Sequence, residues 1–378
     1  MHSNYLFGRF FIIISIFLPS FASGGAEKVM LTIAENISKK GFIVEILVLE
    51  NKGALKNKVP KNIKIISLNS SRAIFSFFGV FKYLRKSEPD VMLSALGHIN
   101  IVAILAKIFS RVKFRLVISE HAVQSILAKK SKKLKENLIP FLIKFLYRFA
   151  DHAIAVSYGV EKNLINTNSI SPERITTIYN PIINNCREEN VTKSLIKVNE
   201  NFQNATYKIV CAGRLAPEKD YLTMLKAFDI VKKTLNVHLI ILGEGDERTK
   251  IETYIKDSNL SNYVTLMGFV EEPSSYISAC DLLCLSSISE GFGNVLIEAL
   301  SVGTPVVSTD CPTGPREILK NGLWGDLIHV GDYLSMSEAI KRILMSGGTV
   351  PSISELTELY GVENITNQYI KTLIPNQM

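Results

Sequence analysis

Short runs of β-branched, aromatic and other apolar residues recur along the chain, and nearly every one is followed by a longer stretch with helical periodicity. That alternation is the signature of parallel sheets with crossover helices. In the first half the runs are "FFIIISIF", "IVEILVLE", "IKIISL", "DVMLSAL", "RLVISE" and "HAIAVS", with "GAEKVMLTIAENISKK" as the first helix and Gly41 as its stop. The second half restarts with "YKIVCAGR", "VHLIILGEG", "YVTLMGF", "DLLCLSS" and "TPVVSTD". A chain of 378 residues, 47% of them hydrophobic, is too long for one ordinary core. The expected fold class is therefore α/β, with two Rossmann-like doubly wound domains facing across a cleft. The first covers residues 1–185, a polar, Asn-rich linker covers 186–204, and the second covers 205–350. A helical segment over 351–378 is expected to pack back on the first domain.

Several classes are disfavoured at once. Five cysteines at irregular spacing, without a C-x-x-C pair, indicate neither a disulfide framework nor a zinc site, so a reducing compartment is expected. The run "FFIIISIFLP" resembles a signal h-region, but its apolar part falls short of the roughly 20 residues of a spanning helix. A buried first strand is the better reading, and a cytoplasmic protein the expectation. Residues 1–185 carry 26 Lys and Arg against 11 Asp and Glu, so the first half should meet something anionic.

Open α/β sheets bind ligands beyond the carboxyl ends of their strands, and the distinctive loops lie there. In "SEGFGNVLIEALSVGTPVVSTD", the loop holds Glu290, Gly291, Phe292 and Gly293, and a helix starting at Asn294, Val295 and Leu296 holds Glu298. A helix N-terminus beneath two glycines favours an anion such as phosphate. Carboxylates repel phosphate, so Glu290 and Glu298 make better sense gripping neutral hydroxyls on either side of a diphosphate. Sugar, diphosphate and ribose have that layout in a nucleotide-sugar. Two glutamates eight apart are common by chance; the strand, glycine loop and helix around them give the pair its meaning.

In "CAGRLAPEKD", Arg214 follows a strand and Lys219 starts the next helix. With no Asp-x-Asp in the chain to hold a metal, neutralising a diphosphate leaving group falls to these two cations. Gly243, Gly245 and Gly268 let a ligand approach the backbone, and Gly268, Phe269 and Val270 bracket a base in this reading; plain turn glycines are the alternative. In the first domain, Gly24 and Gly25 open a helix N-terminus but lack the full G-x-G-x-x-G pattern, which argues against a dinucleotide oxidoreductase. His121, after Glu120 in "VISEHAV", is placed to bond a sugar hydroxyl or act near the reacting centre, and His98 is a weaker parallel. Lys129, Lys130, Lys132, Lys133 and Lys135 precede an apolar-aromatic helix carrying Lys144 and Arg148, a combination suited to an anionic membrane surface. A solvated loop before a core helix is the competing reading, and no nucleic-acid module is recognisable.

Together, "SGGAEKV", "GRLAPEKD", "GEGDE" and "GFVEEPSSYISACDLLCLSSISEGFGNVLIEALSVGTPVVSTDCPTGPREIL" resemble the retaining glycosyltransferases of family GT4, of GT-B fold. The resemblance implies transfer of a hexose or N-acetylhexosamine from a nucleotide-sugar, UDP favoured, with retention and with no metal or other cofactor. It implies Glu290 on the donor sugar, Glu298 on the ribose, Arg214 and Lys219 on the diphosphate, and His121 near the sugar. It places "CPTGPREIL", with Arg316 and Glu317, beside the donor pocket. With the basic first domain, it points to an undecaprenyl-diphosphate-linked saccharide acceptor in surface polysaccharide synthesis, at the cytoplasmic membrane face. A nucleotide-sugar epimerase and a catalytically silent sugar-nucleotide binder are the rival readings.

Overall fold

The computed structural model describes residues 11–123, 134–167, 169–183 and 198–375. Its contacts divide the chain into two units, Met1–Pro181 with Tyr360–Met378, and Ile182–Leu359. The division falls just ahead of the 186–204 stretch read as a linker. Residues 184–197 lie outside the described residues.

The first unit is built on seven parallel strands: β1 (Ile13–Leu18), β2 (Ile43–Val48), β3 (Lys64–Ser67), β4 (Val91–Ala95), β5 (Arg115–Glu120), β6 (His152–Ala155) and β7 (Ile175–Thr177). They lie in the order β3-β2-β1-β4-β5-β6-β7. Its helices are α1 (Gly25–Lys39), α2 (Phe77–Ser87), α3 (Gly97–Ser110), α4 (Leu134–Leu146) and α5 (Tyr158–Asn166). Helix α1 follows from its sequence, because Val29, Met30, Ile33, Ala34 and Ile37 form one buried stripe. Gly41, at φ 92°, adopts past its end the left-handed backbone that stops a helix. Two carboxylates are buried in this unit's sheet among the described residues, Glu45 on β2 and Glu120 on β5. The Glu45 carboxylate on β2 accepts from Lys64 Nζ (2.7 Å), Tyr83 Oη (2.8 Å) and Ser87 Oγ (3.1 Å), which fastens α2 to the sheet.

The second unit has six parallel strands: β8 (Tyr207–Ala212), β9 (Val237–Leu242), β10 (Val264–Gly268), β11 (Leu282–Leu285), β12 (Val306–Thr309) and β13 (Asp326–Ile328). Their order is β10-β9-β8-β11-β12-β13. The helices are α6 (Glu200–Asn204), α7 (Tyr221–Val231), α8 (Arg248–Asp257), α9 (Pro273–Ser278), α10 (Asn294–Ser301), α11 (Pro315–Ile318), α12 (Tyr333–Ser346) and α13 (Ile353–Tyr360). Both sheets are parallel, as the alternation requires. Strands β7 and β13, at the sheet edges, escaped the sequence pattern because three residues are too few to establish a period.

The C-terminal expectation needs dividing. Nearly all of α13 stays with the second unit, whereas α14 (Val362–Leu373) belongs to the first. Ile365, Tyr369, Ile370 and Leu373 of α14 enter the same apolar cluster as α1 and β1, and Tyr369 is wholly buried. Among the described residues, no helix is long and apolar enough to cross a membrane. Tyr369→Ala is expected to cost the first unit about 3–5 kcal/mol, the range for emptying a large aromatic site. Denaturant unfolding followed by far-UV circular dichroism checks it, and an unchanged midpoint would mean that α14 is not part of that core.

Candidate active site

In the second unit the strand order reverses between β8 and β11, which are hydrogen-bonded neighbours whose crossovers leave in opposite directions. Such a switch point opens a crevice at the carboxyl ends of its two strands. The loop after β8 carries Arg214 and Lys219; the loop after β11 carries Glu290.

Lys219 does not start α7, as its sequence position suggested. It closes a short 3-10 turn, Pro217–Lys219, and Asp220 then adopts φ 46° and caps α7 by accepting from Thr223 N–H at 3.4 Å, with a second bond from Thr223 Oγ1 at 2.7 Å. This detour lays the lysine stem over Gly213, where a Cβ would stand 3.4 Å from Lys219 Cε. Lys219 Nζ then donates to Glu290 Oε1 at 2.6 Å, and Ser287 Oγ donates to the same oxygen at 2.6 Å. Both charged side chains are mostly buried, 19% and 10% exposed, so this is a desolvated pair.

Backbone bonds hold the loops in register. Ile288 N–H donates to the Glu218 carbonyl (2.8 Å) and Ser286 Oγ to the Lys219 carbonyl (2.9 Å). The loop after β12 joins them: Thr309 Oγ1 donates to the Ser287 carbonyl and Thr313 Oγ1 to the Glu290 carbonyl. Gly314, at φ 90°, rests on the Phe292 carbonyl so closely that a Cβ would lie 1.7 Å from that oxygen. The "CPTGP" loop is therefore in direct contact with the Gly-Phe-Gly loop. Arg316 forms an ion pair with Asp310. Ser287, Thr309 and Thr313 were not singled out from sequence; the double serine before "ISEG" was the one available signal. The Cys311 thiol is pushed up to about 12, first by burial and then by the Glu290 charge, so it stays a neutral thiol.

Several expectations change. Of the three amides expected to be open at the start of α10, Leu296 N–H is already bonded to the Gly293 carbonyl at 2.9 Å. Gly293 itself takes the left-handed conformation, φ 103°, and Glu298 lies half-buried just over one turn along. Arg214 is 72% exposed and pairs with Glu218 at 2.6 Å. With its arginine in solvent, such an i,i+4 pair is worth about 0–1 kcal/mol, so the guanidinium is exchangeable in a way that Lys219 is not. Gly243 and Gly245 make room for protein: Cβ atoms there would meet the Gly213 and Leu215 carbonyls at 1.9 and 2.3 Å. Gly268 faces the Glu244 carboxylate, Phe269 is 52% exposed and Val270 half-buried.

In the first unit, His121 follows β5 and lies 3.0 Å from Ser119 Oγ in a hydrogen bond. Desolvation holds its imidazole down at about 4, against an ordinary 6.5, so it is neutral at physiological pH. Its neighbour Glu120 is fully buried and accepts from Tyr147 Oη, which in turn accepts from Asn100 Nδ2 at 3.0 Å. Ser94 Oγ completes the set by donating to Asn100 Oδ1 at 2.8 Å. His98, the second residue of α3, is exposed. The opening of α1 is not an open anion seat, because Glu27 from its own first turn lies over Gly24, its Oε2 2.3 Å from where a Cβ would be. A side chain at Gly24 would meet that carboxylate. Lys129, Lys130, Lys132 and Lys133 lie outside the described residues, as does the side chain of Lys135.

Residues 23–183 match the family model described as Glycosyltransferase Family 4, and residues 192–355 the one described as Glycosyl transferases group 1. A Campylobacter jejuni protein named N-acetylgalactosamine-N,N'-diacetylbacillosaminyl-diphospho-undecaprenol 4-alpha-N-acetylgalactosaminyltransferase is 32% identical over 341 residues, 88% of this chain and 90% of that one. The amylovoran biosynthesis glycosyltransferase AmsD of Erwinia amylovora is 28% identical over 305 residues, 79% and 81% of the two chains. Among solved structures, Anabaena Alr3699/HepE in complex with UDP-glucose superposes with a TM-score of 0.79 at 19% identity, covering 96% of this chain and 99% of that one. Two parallel-sheet units of this kind are the GT-B architecture of glycosyl-transferring enzymes. The chain belongs to the family 4 glycosyltransferases.

Two outcomes test this geometry. The His121 ring resonances should titrate near pH 4, and a midpoint near 6.5 would show that the ring is solvated. The linked stability runs the same way. The unfolded chain takes the proton first, so this histidine lowers stability as pH falls from 6.5 toward 4. Lys219→Met is expected to cost about 3–5 kcal/mol by leaving Glu290 unpaired, and Lys219→Met with Glu290→Gln less than the sum. Strict additivity in denaturation would mean the two side chains do not interact.

Proposed function

We propose that this glycosyltransferase moves a hexose or N-acetylhexosamine from a UDP-sugar to a saccharide on undecaprenyl diphosphate, with retention of anomeric configuration. The observation that carries the reading is the Lys219–Glu290 pair at the β8/β11 switch point, which puts a fixed positive charge beside a fixed carboxylate. Lys219 and the exchangeable Arg214 neutralise charge developing on the departing diphosphate. Glu290, oriented by Lys219 and Ser287, accepts hydroxyls of the transferred sugar, while Glu298 accepts those of the ribose. Gly291, Phe292, Gly293 and the first turn of α10 line the diphosphate, and Gly268, Phe269 and Val270 bracket the base.

His121, being neutral, is a hydrogen-bonding partner for a sugar hydroxyl and adds no charge. The acceptor oxygen enters on the face the diphosphate leaves, and the leaving phosphate helps to take its proton, so positioning and charge stabilisation carry the rate. The name of the C. jejuni relative, an N-acetylgalactosaminyltransferase acting on a diphospho-undecaprenol, supports both the donor class and the lipid carrier. The amylovoran relative supports a place in surface polysaccharide synthesis. Such an acceptor would be met at the cytoplasmic face of the membrane. The cationic pair takes the part a metal would otherwise play, so the reading needs no metal.

Glu290→Ala and Lys219→Ala should each cut turnover at least about tenfold, an activation difference of roughly 1.4 kcal/mol. Full activity in both would sink the site. Excess EDTA should leave transfer unchanged. In a thermal-shift panel, UDP-N-acetylhexosamines should stabilise most, because ligands that bind the native state raise its melting temperature by mass action. A GDP-sugar at the head of that panel would overturn the base assignment.

A further inference from the structure

Helix α3 packs between α2 and α4, and the outer surface of these three helices is unusual in what it exposes. Phe75, Phe78 and Phe109 are 67%, 79% and 61% exposed, gathered around the half-buried Phe77, whose ring centroid lies 5.3 Å from Phe78 and 5.9 Å from Phe109. Along α4 and the turn after it, Phe141, Phe145 and Phe149 are 58%, 45% and 51% exposed, the first two with ring centroids 4.7 Å apart. Exposed apolar residues are ordinary when scattered singly; six phenylalanines in two groups are not. Nor is their orientation an accident of loose packing. Val80, Tyr83 and Leu84 bury the other face of α2, and Tyr83 and Ser87 bond Glu45 in the sheet.

Charge identifies the occupant. Arg72, Arg85, Lys86, Arg111, Lys144 and Arg148 are all exposed among these rings, with Arg72, Arg85 and Arg148 lying over Phe75, Phe81 and Phe145. Residues 70–87, 97–114 and 139–149 contain no Asp or Glu; Glu88 and Glu136 stand at their margins in the sequence, and Asp151 is already paired with Lys107 of α3. A second copy seated on this face would oppose mainly cation to cation. Anionic lipid headgroups answer the cations, and the acyl boundary beneath them takes the rings.

We propose that this face, additional to the lysine-rich segment, seats the enzyme on an anionic bilayer, with phenyl rings of α2, α3 and α4 entering the headgroup boundary. It rests on the reading of a lipid-linked acceptor, which gives the enzyme a reason to be at a membrane. Phe78→Trp in the full chain tests it, because the chain's one native tryptophan, Trp324, is 2% exposed in the second unit and gives a constant background. With phosphatidylglycerol vesicles carrying brominated acyl chains, Phe78→Trp emission should shift to the blue and be quenched by about half or more. Phe75→Ser, Phe78→Ser and Phe109→Ser combined should weaken vesicle binding about tenfold and leave transfer to a short-chain, water-soluble diphosphate-linked saccharide intact. Unquenched Phe78→Trp on protein that floats with vesicles overturns the proposal. So does Phe78→Trp emission already shifted without lipid in a chain of doubled mass, which assigns the face to a second copy. If the unaltered enzyme fails on the soluble acceptor, the acceptor reading falls, and quenching still judges the surface on its own.

Discussion

The second unit is organised around one desolvated ion pair. Taking a lysine and a carboxylate out of water costs more than their attraction reliably returns, so such a pair is better understood as a positioning device than as a source of stability. Here it fixes the ends of two loops that leave neighbouring strands in opposite directions. Once Lys219 must reach Glu290, the 3-10 turn at Pro217, the left-handed Asp220 and the bare Gly213 under the lysine stem follow as the means. Ser287, Thr309 and Thr313 then hold the carboxylate's loop from below. Arg214, a few residues away, is under no such constraint, and its own exposure leaves it able to follow a ligand.

The first unit places its chemistry differently. At the end of β5, Ser94, Asn100, Tyr147 and Glu120 satisfy one another in the interior, and the next residue in sequence is His121. A fully bonded buried network is rigid because any displacement leaves a polar group without a partner. The strand end that presents His121 is thus held from within, and burial keeps the imidazole uncharged.

How much of this was legible in sequence depends on the range of the interaction. The strands, the parallel sheets and α1 are local patterns, and "FFIIISIF" or "GAEKVMLTIAENISKK" declares itself. Glu290 and Lys219 could be picked out because each follows a strand. Their mutual bond spans 71 positions, and nothing in either segment announces it. The glycines show the same limit: sequence marks Gly243 and Gly245 as places of close approach, but the approaching group is another backbone in each case, as it also is at Gly314. Gly24 misled because the negative group it accommodates, Glu27, lies three residues further on in the same helix.

Helix α14 also has a bearing on the order of events during synthesis. Its Ile365, Tyr369, Ile370 and Leu373 complete a core begun by β1 and α1, yet the ribosome must make the whole second unit before they emerge. At about 5–20 residues per second, the apolar face they cover stays open on the nascent chain for on the order of 10–40 s. For that interval the first unit is an unfinished domain with an apolar flank uncovered. The second unit, contiguous in sequence, carries no such debt and can fold as soon as it is made.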